Sequence, residues 1–390
     1  MPPTRPAIPL TGLGAVAGAL VGLRLAGTPT TAAVVLAEAV GAPLPRRPAA
    51  RRVTRAGRTL DGVTGDLYDP GWRAPALVLL PGAAPKGRHD VRVQQVSRSL
   101  AGAGRSVFVP DLELSRTTFD RVDIDRVARA VPELHARNPG AGGVALLGFS
   151  YGGALALVAA ADPRVGGLLA SVATFGCYFE LVGVIQGATT GGSIVAGVHH
   201  PWRAHPQAAR VMREVALRLV PPGEEAALTA VFAGTGRPGS LSPASRAAYD
   251  LVGNTDPART YDLAAALHPD ARRLLADFSP STVVARISAP VIALHSVDDP
   301  LVPYAELLRL RAALPSARTL TVRSFEHVDL RGGGRRAELA RDVVTAWRFT
   351  AALLAAQQRG YAATGPTPAP TRSRARAGSR GGRPSRRPRP

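Results

Sequence analysis

Short apolar runs alternate with stretches of helical spacing between about residues 60 and 357, and that alternation narrows the fold more than any other feature of the chain. The runs are Ala76–Leu80, Ser106–Val109, Gly143–Leu147, Gly167–Thr174, Pro290–His295 and Thr319–Ser324. Most are apolar throughout, as strands buried on both faces should be, whereas a strand with one wet face alternates polar and apolar residues. Residues 89–103, 120–137, 151–161, 303–314 and 335–357 read as the helices between and after them. Such a chain is expected to be an α/β protein with a mostly parallel central sheet and helices on both faces. From Gly176 to about Arg286 the alternation lapses into helical and loop patterns, which predicts a helical cap inserted at 176–286 in a domain that spans 46–362.

The two ends read differently. Residues 8–23 carry no charge and make about 16 residues of apolar helix, short of the roughly 20 that span a bilayer. A second apolar run at 31–44 contains Glu38. Together they form a membrane hairpin, one anchor followed by a surface helix, or two helices packed on the domain. Residues 1–45 are therefore expected to be an apolar segment, either membrane-anchoring or signal-like, although no convincing cleavage site precedes Thr28. Six Arg between Arg46 and Arg58 favour the cytoplasmic face for the 46–362 domain. The expected location is a membrane surface or the cytoplasm. Gly14, Gly18 and Gly22 share a helical face, which suits close helix packing as much as it suits a Gly-rich composition. Gly12-x-Gly14-x-x-Ala17 imitates a dinucleotide fingerprint, but Pro6 and Pro9 sit where its leading strand belongs.

The formal charge of +20 resembles that of a nucleic-acid binder until its origin is traced. Residues 363–390 hold eight Arg and no acid, with too little apolar content to offset the entropy of ordering, so a disordered Arg-rich tail is expected there. The basic stretches lack interleaved aromatics, and neither a zinc-finger nor an RNP pattern occurs, so no specific nucleic-acid partner is expected. Cys177 is the sole cysteine, which excludes an internal disulfide.

The chemistry-bearing motif is Gly148-Phe149-Ser150-Tyr151-Gly152, and its setting makes it informative. It follows an apolar strand and precedes a helix of small residues, so Ser150 falls on a tight strand-to-helix turn. Small residues two before and two after the serine let neighbouring backbone pass close by. A neutral serine needs a base within hydrogen-bond reach, and the base needs a carboxylate to orient it. Downstream, the strand VIALH runs into Ser296-Val297-Asp298-Asp299-Pro300, and the strand TLTVRS into Phe325-Glu326-His327. Both lie at the C-terminal ends of strands, where sites of open parallel sheets gather. Asp299 is the preferred acid, with Asp298 and Glu180 as alternatives. The trio His199, His200 and His205 is crowded as in a metal site but lacks an accompanying carboxylate.

With these motifs the chain resembles the α/β-hydrolase superfamily over about residues 60–357, and more loosely its bacterial serine esterases and dienelactone-hydrolase-like members. LHSVDDPLVP matches the family pattern HGxxDxxVP with Asp299 in the acid position and Ser296 in place of Gly. Glu326-His327 stands where the family usually has Gly-His. The resemblance implies Ser150 as nucleophile, His327 as base and Asp299 as acid. It also implies an oxyanion hole from the backbone N–H groups of Tyr151 and of Ala83, although Pro81 replaces the usual His of that loop. The expected reaction is hydrolysis of a small-molecule or lipid carboxylic ester through an acyl-enzyme, without a cofactor. The alternatives are an acyltransferase or thioesterase on the same triad, or a catalytically idle fold serving as a membrane-tethered interaction module.

Overall fold

A computed structural model describes residues 28–39, 53–71, 74–82, 86–113, 120–137, 142–206, 208–327, 329–330 and 336–364. The first apolar run, its glycine motifs and the Arg-rich tail from 365 onward lie outside these residues. In chain order the elements are α1 (Thr28–Ala39), β1 (Thr54–Leu60), β2 (Val63–Asp69), β3 (Ala76–Leu80), α2 (Val91–Gly102), β4 (Ser106–Pro110), α3 (Arg121–Arg137), β5 (Val144–Phe149), α4 (Tyr151–Ala160) and β6 (Leu169–Phe175). An insertion comes next, comprising α5 (Leu181–Thr190), the hairpin β7 (Gly192–Val195) and β8 (Val198–Pro201), and then α6 (Ala208–Arg218), α7 (Glu225–Phe232), α8 (Pro243–Val252), α9 (Thr260–Ala265) and α10 (Pro269–Asp277). The chain then returns to the sheet with β9 (Val291–Ser296), α11 (Ala305–Ala313), β10 (Arg318–Val322), the short pair β11 (Phe325–Glu326) and β12 (Asp329–Leu330), and α12 (Arg336–Thr364).

Eight strands form one open sheet in the order β1-β2-β4-β3-β5-β6-β9-β10. From β4 to β10 every neighbour is parallel, and only β1–β2 and β2–β4 are antiparallel. The apolar runs explain the centre, since β3 and β4 are buried along their whole length. Helices cover both faces. On one, α3 turns Val127, Ala130, Val131 and Leu134 inward at helical spacing and keeps Asp125, Arg129 and Glu133 outward. On the other, Phe349, Leu353 and Leu354 of α12 pack with Ala32 and Val35 of α1 and with strand residues such as Leu77 and Leu147. The described part of the second apolar run is thus a helix packed on the domain. Among the described residues, no helix is long and apolar enough to cross a membrane.

The hairpin β1–β2 was not among the expected strands. Its edge strand TRAGRTL is mostly exposed, so it carries no apolar run to betray it. The signal it does carry is Asp61-Gly62, a two-residue connection with both φ angles positive (41° and 74°), the geometry that hairpin twist favours.

The insertion has its own apolar core, built from residues such as Ile185, Met212, Leu228, Leu251 and Leu275. That core is continuous with Ala154 of α4, Tyr178 after β6 and Val302 after β9. It therefore rests on the C-terminal ends of the strands rather than on a separate base.

Candidate active site

Ser150 occupies the turn between β5 and α4 with φ 52° and ψ −125°, a backbone conformation that non-glycine residues rarely hold. The turn survives because its surroundings fix it. The Ser150 amide donates to the carbonyl of Phe175 at 2.8 Å, and its carbonyl accepts from Gly153 at 2.9 Å. Glycines make the sharp turn feasible: a Cβ on Gly148 would lie 2.2 Å from the Gly152 oxygen, and one on Gly152 would lie 2.3 Å from the Leu80 oxygen. Strand β3 therefore passes directly behind the serine. Gly82, in the loop after it, is so close that an added Cβ would meet Ser150 Cβ at 3.0 Å.

Ala83, expected as an oxyanion donor, lies outside the described residues. Tyr151 opens α4, as expected, at the positive end of that helix. Its ring meets Tyr178 edge-on at 5.2 Å, and burial pushes its hydroxyl up to about 12. The loop that leaves β3 is tied down further along by Arg88, which donates to Asp66 and to Asp111, both at 2.8 Å.

Of the three carboxylates considered from sequence, Asp299 is the one that meets His327. Its Oδ2 accepts from His327 Nδ1 at 2.7 Å, and the Asp299 side chain is fully buried. Oδ1 accepts the amides of Leu301 and Val302 at 2.8 and 3.0 Å. Asp298 is exposed and lies 3.9 Å from Arg323, while Glu180 accepts from the Tyr261 hydroxyl at 2.6 Å. Burial by itself would raise the Asp299 carboxyl, but the hydrogen bond and charge of His327, with His295 beyond, outweigh it and hold the group below its ordinary 3.8.

His327 is buried, has φ +61°, and its ring lies against Gly176, the residue after β6. Since Phe175 holds the Ser150 amide and Gly176 bears on the His327 ring, serine and histidine converge on the C-terminal end of β6.

Several supporting residues escaped the sequence reading. Ser296, which stands where the family pattern has Gly, is fully buried and its hydroxyl donates to the Phe325 carbonyl at 2.6 Å. It thus joins the acid-bearing loop to the histidine-bearing one. Asp342 of α12 accepts the amides of Arg323 and Ser324, which fixes the same loop from below. His295 Nε2 contacts the Val302 carbonyl at 3.1 Å, and since a carbonyl only accepts, the proton sits on Nε2. Burial lowers its pKa from the ordinary 6.5, against the pull of the neighbouring Asp299. Cys177, buried beneath α4, has its thiol pushed up to about 12 by burial and remains protonated.

Beside the site lies a buried polar network. Glu306 of α11 accepts the amides of Phe179 and Glu180 at 3.0 and 2.7 Å and pairs with Arg309 at 2.6 Å. Arg309 also donates to Gln186 and to the Ile194 carbonyl, both at 2.9 Å, which carries the network into the insertion. His199 and His200 lie on β8, and His205 comes shortly after it. Among the described residues no group of three or more His, Cys, Asp or Glu side chains is placed to hold a metal ion.

Against known proteins, a model of the X-Pro dipeptidyl-peptidase family (S15) matches residues 124–329, more than half of the chain. That span contains Ser150, Asp299 and His327. No curated protein sequence matches the chain. Similar solved structures include a puromycin-hydrolyzing peptidase of Mycobacterium tuberculosis, 18% identical with a TM-score of 0.46 over 80% of this chain and 41% of that one. Another is the acylaminoacyl peptidase of Pyrococcus horikoshii, 14% identical with a TM-score of 0.42 over 75% of this chain and 39% of that one. A third is the dienelactone hydrolase of Anabaena variabilis, 15% identical with a TM-score of 0.39 over 76% of this chain and 97% of that one. The chain spans less than half the length of the two peptidases.

Proposed function

Because the chain belongs to the S15 family of serine peptidases and has the α/β-hydrolase fold, we propose that it cleaves peptide or related amide bonds, and esters, through an acyl-enzyme on Ser150. The family widens the ester expected from the sequence to the amide, which the same groups serve. Ser150 Oγ attacks the carbonyl carbon as His327 takes its proton, and the N–H of Tyr151 faces the oxygen that becomes negative. The imidazolium, stabilised by Asp299, then delivers that proton to the departing amine or alcohol. An amine leaves only when protonated, so a well-held imidazolium matters more for amides than for esters. Water, deprotonated in turn by His327, releases the acyl group and restores the serine.

The observation that carries this reading is the 2.7 Å contact between buried Asp299 and His327, held against the strand end that also fixes the Ser150 turn. The test compares wild type and Ser150→Ala on X-Pro p-nitroanilides, other aminoacyl p-nitroanilides and p-nitrophenyl esters. Wild type is expected to turn over at least one amide, with a loss of about 10³-fold or more in the variant. Equal rates in both proteins would overturn the proposal.

A further inference from the structure

The segment after the β7–β8 hairpin reaches out of the insertion and bonds the acid turn directly. Trp202 Nε1–H donates to the main-chain carbonyl of Asp299 at 2.6 Å, and the His205 amide donates to the carbonyl of Pro300 at 2.8 Å. Trp202 is itself fixed from the insertion side. Its amide donates to Gly191 at 2.7 Å, and its ring crowds Gly187 of α5, where a Cβ would come 3.1 Å from Trp202 Cε3 and 2.7 Å from Pro303 Cγ. One indole thus touches both α5 and the residue whose carboxylate meets His327.

Resting on the function proposed above, we infer that Trp202 is a positioning residue: through its indole N–H the insertion sets the orientation of Asp299, and through Asp299 that of His327. Asp299 is 1% exposed, so its carbonyl has little water to turn to if the indole withdraws. A buried acceptor without a donor is strongly disfavoured, and the turn must follow the indole. The carboxylate hangs from the same residue. A shift of a few tenths of an ångström at its Cα carries Oδ2 off the 2.7 Å contact, and catalytic steps are steeply sensitive to such displacements. Among the described residues, the turn's other bonds are those of the His205, Leu301 and Val302 amides, of His295 Nε2, and of the Asp299 amide to the Ser296 carbonyl at 3.4 Å, and none of them is made to the Asp299 carbonyl.

The test is Trp202→Phe, which keeps an aromatic ring and deletes the N–H. The expected result is a fall of about tenfold in kcat with KM little changed. The rate at which a fluorophosphonate phosphonylates Ser150, with loss of fluoride, should fall by the same factor, since that reaction needs the base and not the substrate pocket. Val198→Ala, at an exposed position of the same hairpin, is expected to label at the wild-type rate. A merely structural role would lower the melting temperature but leave labelling of the folded protein unchanged. Gly187→Ala, whose methyl presses the indole from its other side, is the second variant and should slow labelling several-fold. A wild-type labelling rate in Trp202→Phe would overturn the inference, whatever Gly187→Ala does, while leaving the proposed function standing. Absence of an adduct at Ser150 in the wild type would overturn both.

Discussion

A Cβ on Gly176 would lie 3.2 Å from both Nδ1 and Cε1 of His327 and 3.5 Å from Oδ2 of Asp299. The histidine ring is thus packed on a stretch of backbone that has no room for a side chain, at a residue whose φ is +64°.

Gly176→Ala should therefore harm the site twice. The left-handed backbone costs an alanine about 1 kcal/mol, enough to lower Tm by about 2–4 °C in a domain of this size. The methyl also pushes His327 from its contact with Asp299, and kcat should fall about tenfold or more. Gly71→Ala separates the two effects, because Gly71 shares a positive φ (82°) but has nothing within 4 Å of its missing Cβ. It should lose stability and keep activity. Equal activity losses in the two variants would show that strain, and not contact with His327, is responsible.

The two adjacent aspartates make a sharp comparison. Asp299→Asn keeps the shape but offers His327 Nδ1 an amide in place of a carboxylate, and a fall in kcat of about 10³–10⁴ is expected. Asp298→Asn, at an exposed position, should stay within about twofold of wild type. Steady-state kinetics on any substrate that the wild type hydrolyses decides it. A larger loss for Asp298→Asn would reverse the assignment.

Ser296→Gly restores the residue of the family pattern and strands the buried Phe325 carbonyl. An unpaired buried acceptor costs about 1–3 kcal/mol, and a loss of stability of that size is expected. Because Phe325 is two residues from His327, kcat should fall several-fold while KM holds. Denaturant unfolding and kinetics on the same preparation test both parts, and an unchanged unfolding midpoint would show that the hydroxyl contributes nothing.

Much of this was legible in the sequence because the central strands announce themselves. ALVLL is apolar throughout and VIALH is so up to His295, and Ser150, Asp299 and His327 come after their strands at the turns where such sheets place chemistry. The edge hairpin was not legible by the same means, since β1 buries little and only Asp61-Gly62 marks its turn. Gly176, Ser296 and Trp202 escaped for another reason: each acts on a residue distant along the chain, as Trp202 does on Asp299. Composition and spacing carry no record of which backbones approach each other. In the insertion, helical periodicity is local, whereas the contact of Trp202 with the acid turn depends on how β7 and β8 fold back.

Glu306 is expected to make the stability of the protein depend on pH. Burial raises its carboxyl from 4.5 to about 7, against Arg309 and the amides of Glu180 and Phe179, which favour the charged form. A group that holds its proton more tightly in the folded chain contributes stability that is complete below about 4.5 and is lost as the pH rises through about 7. The change is on the order of 3 kcal/mol. Glu306→Gln removes this titration, so wild-type stability relative to the variant should decline between about pH 4.5 and 7 in urea unfolding. A difference that stays flat would show that folding does not shift Glu306, and one that grows with pH would show that Arg309 and the amides lower its pKa rather than burial raising it.

The acyl-enzyme on Ser150 is tested most directly by mass spectrometry of the protein after brief exposure to a fluorophosphonate. One adduct is predicted, on the peptide that carries Ser150, formed far more slowly in His327→Ala and absent from Ser150→Ala. A folded wild-type protein that carries no adduct, or an equal adduct on Ser150→Ala, would contradict a mechanism through Ser150.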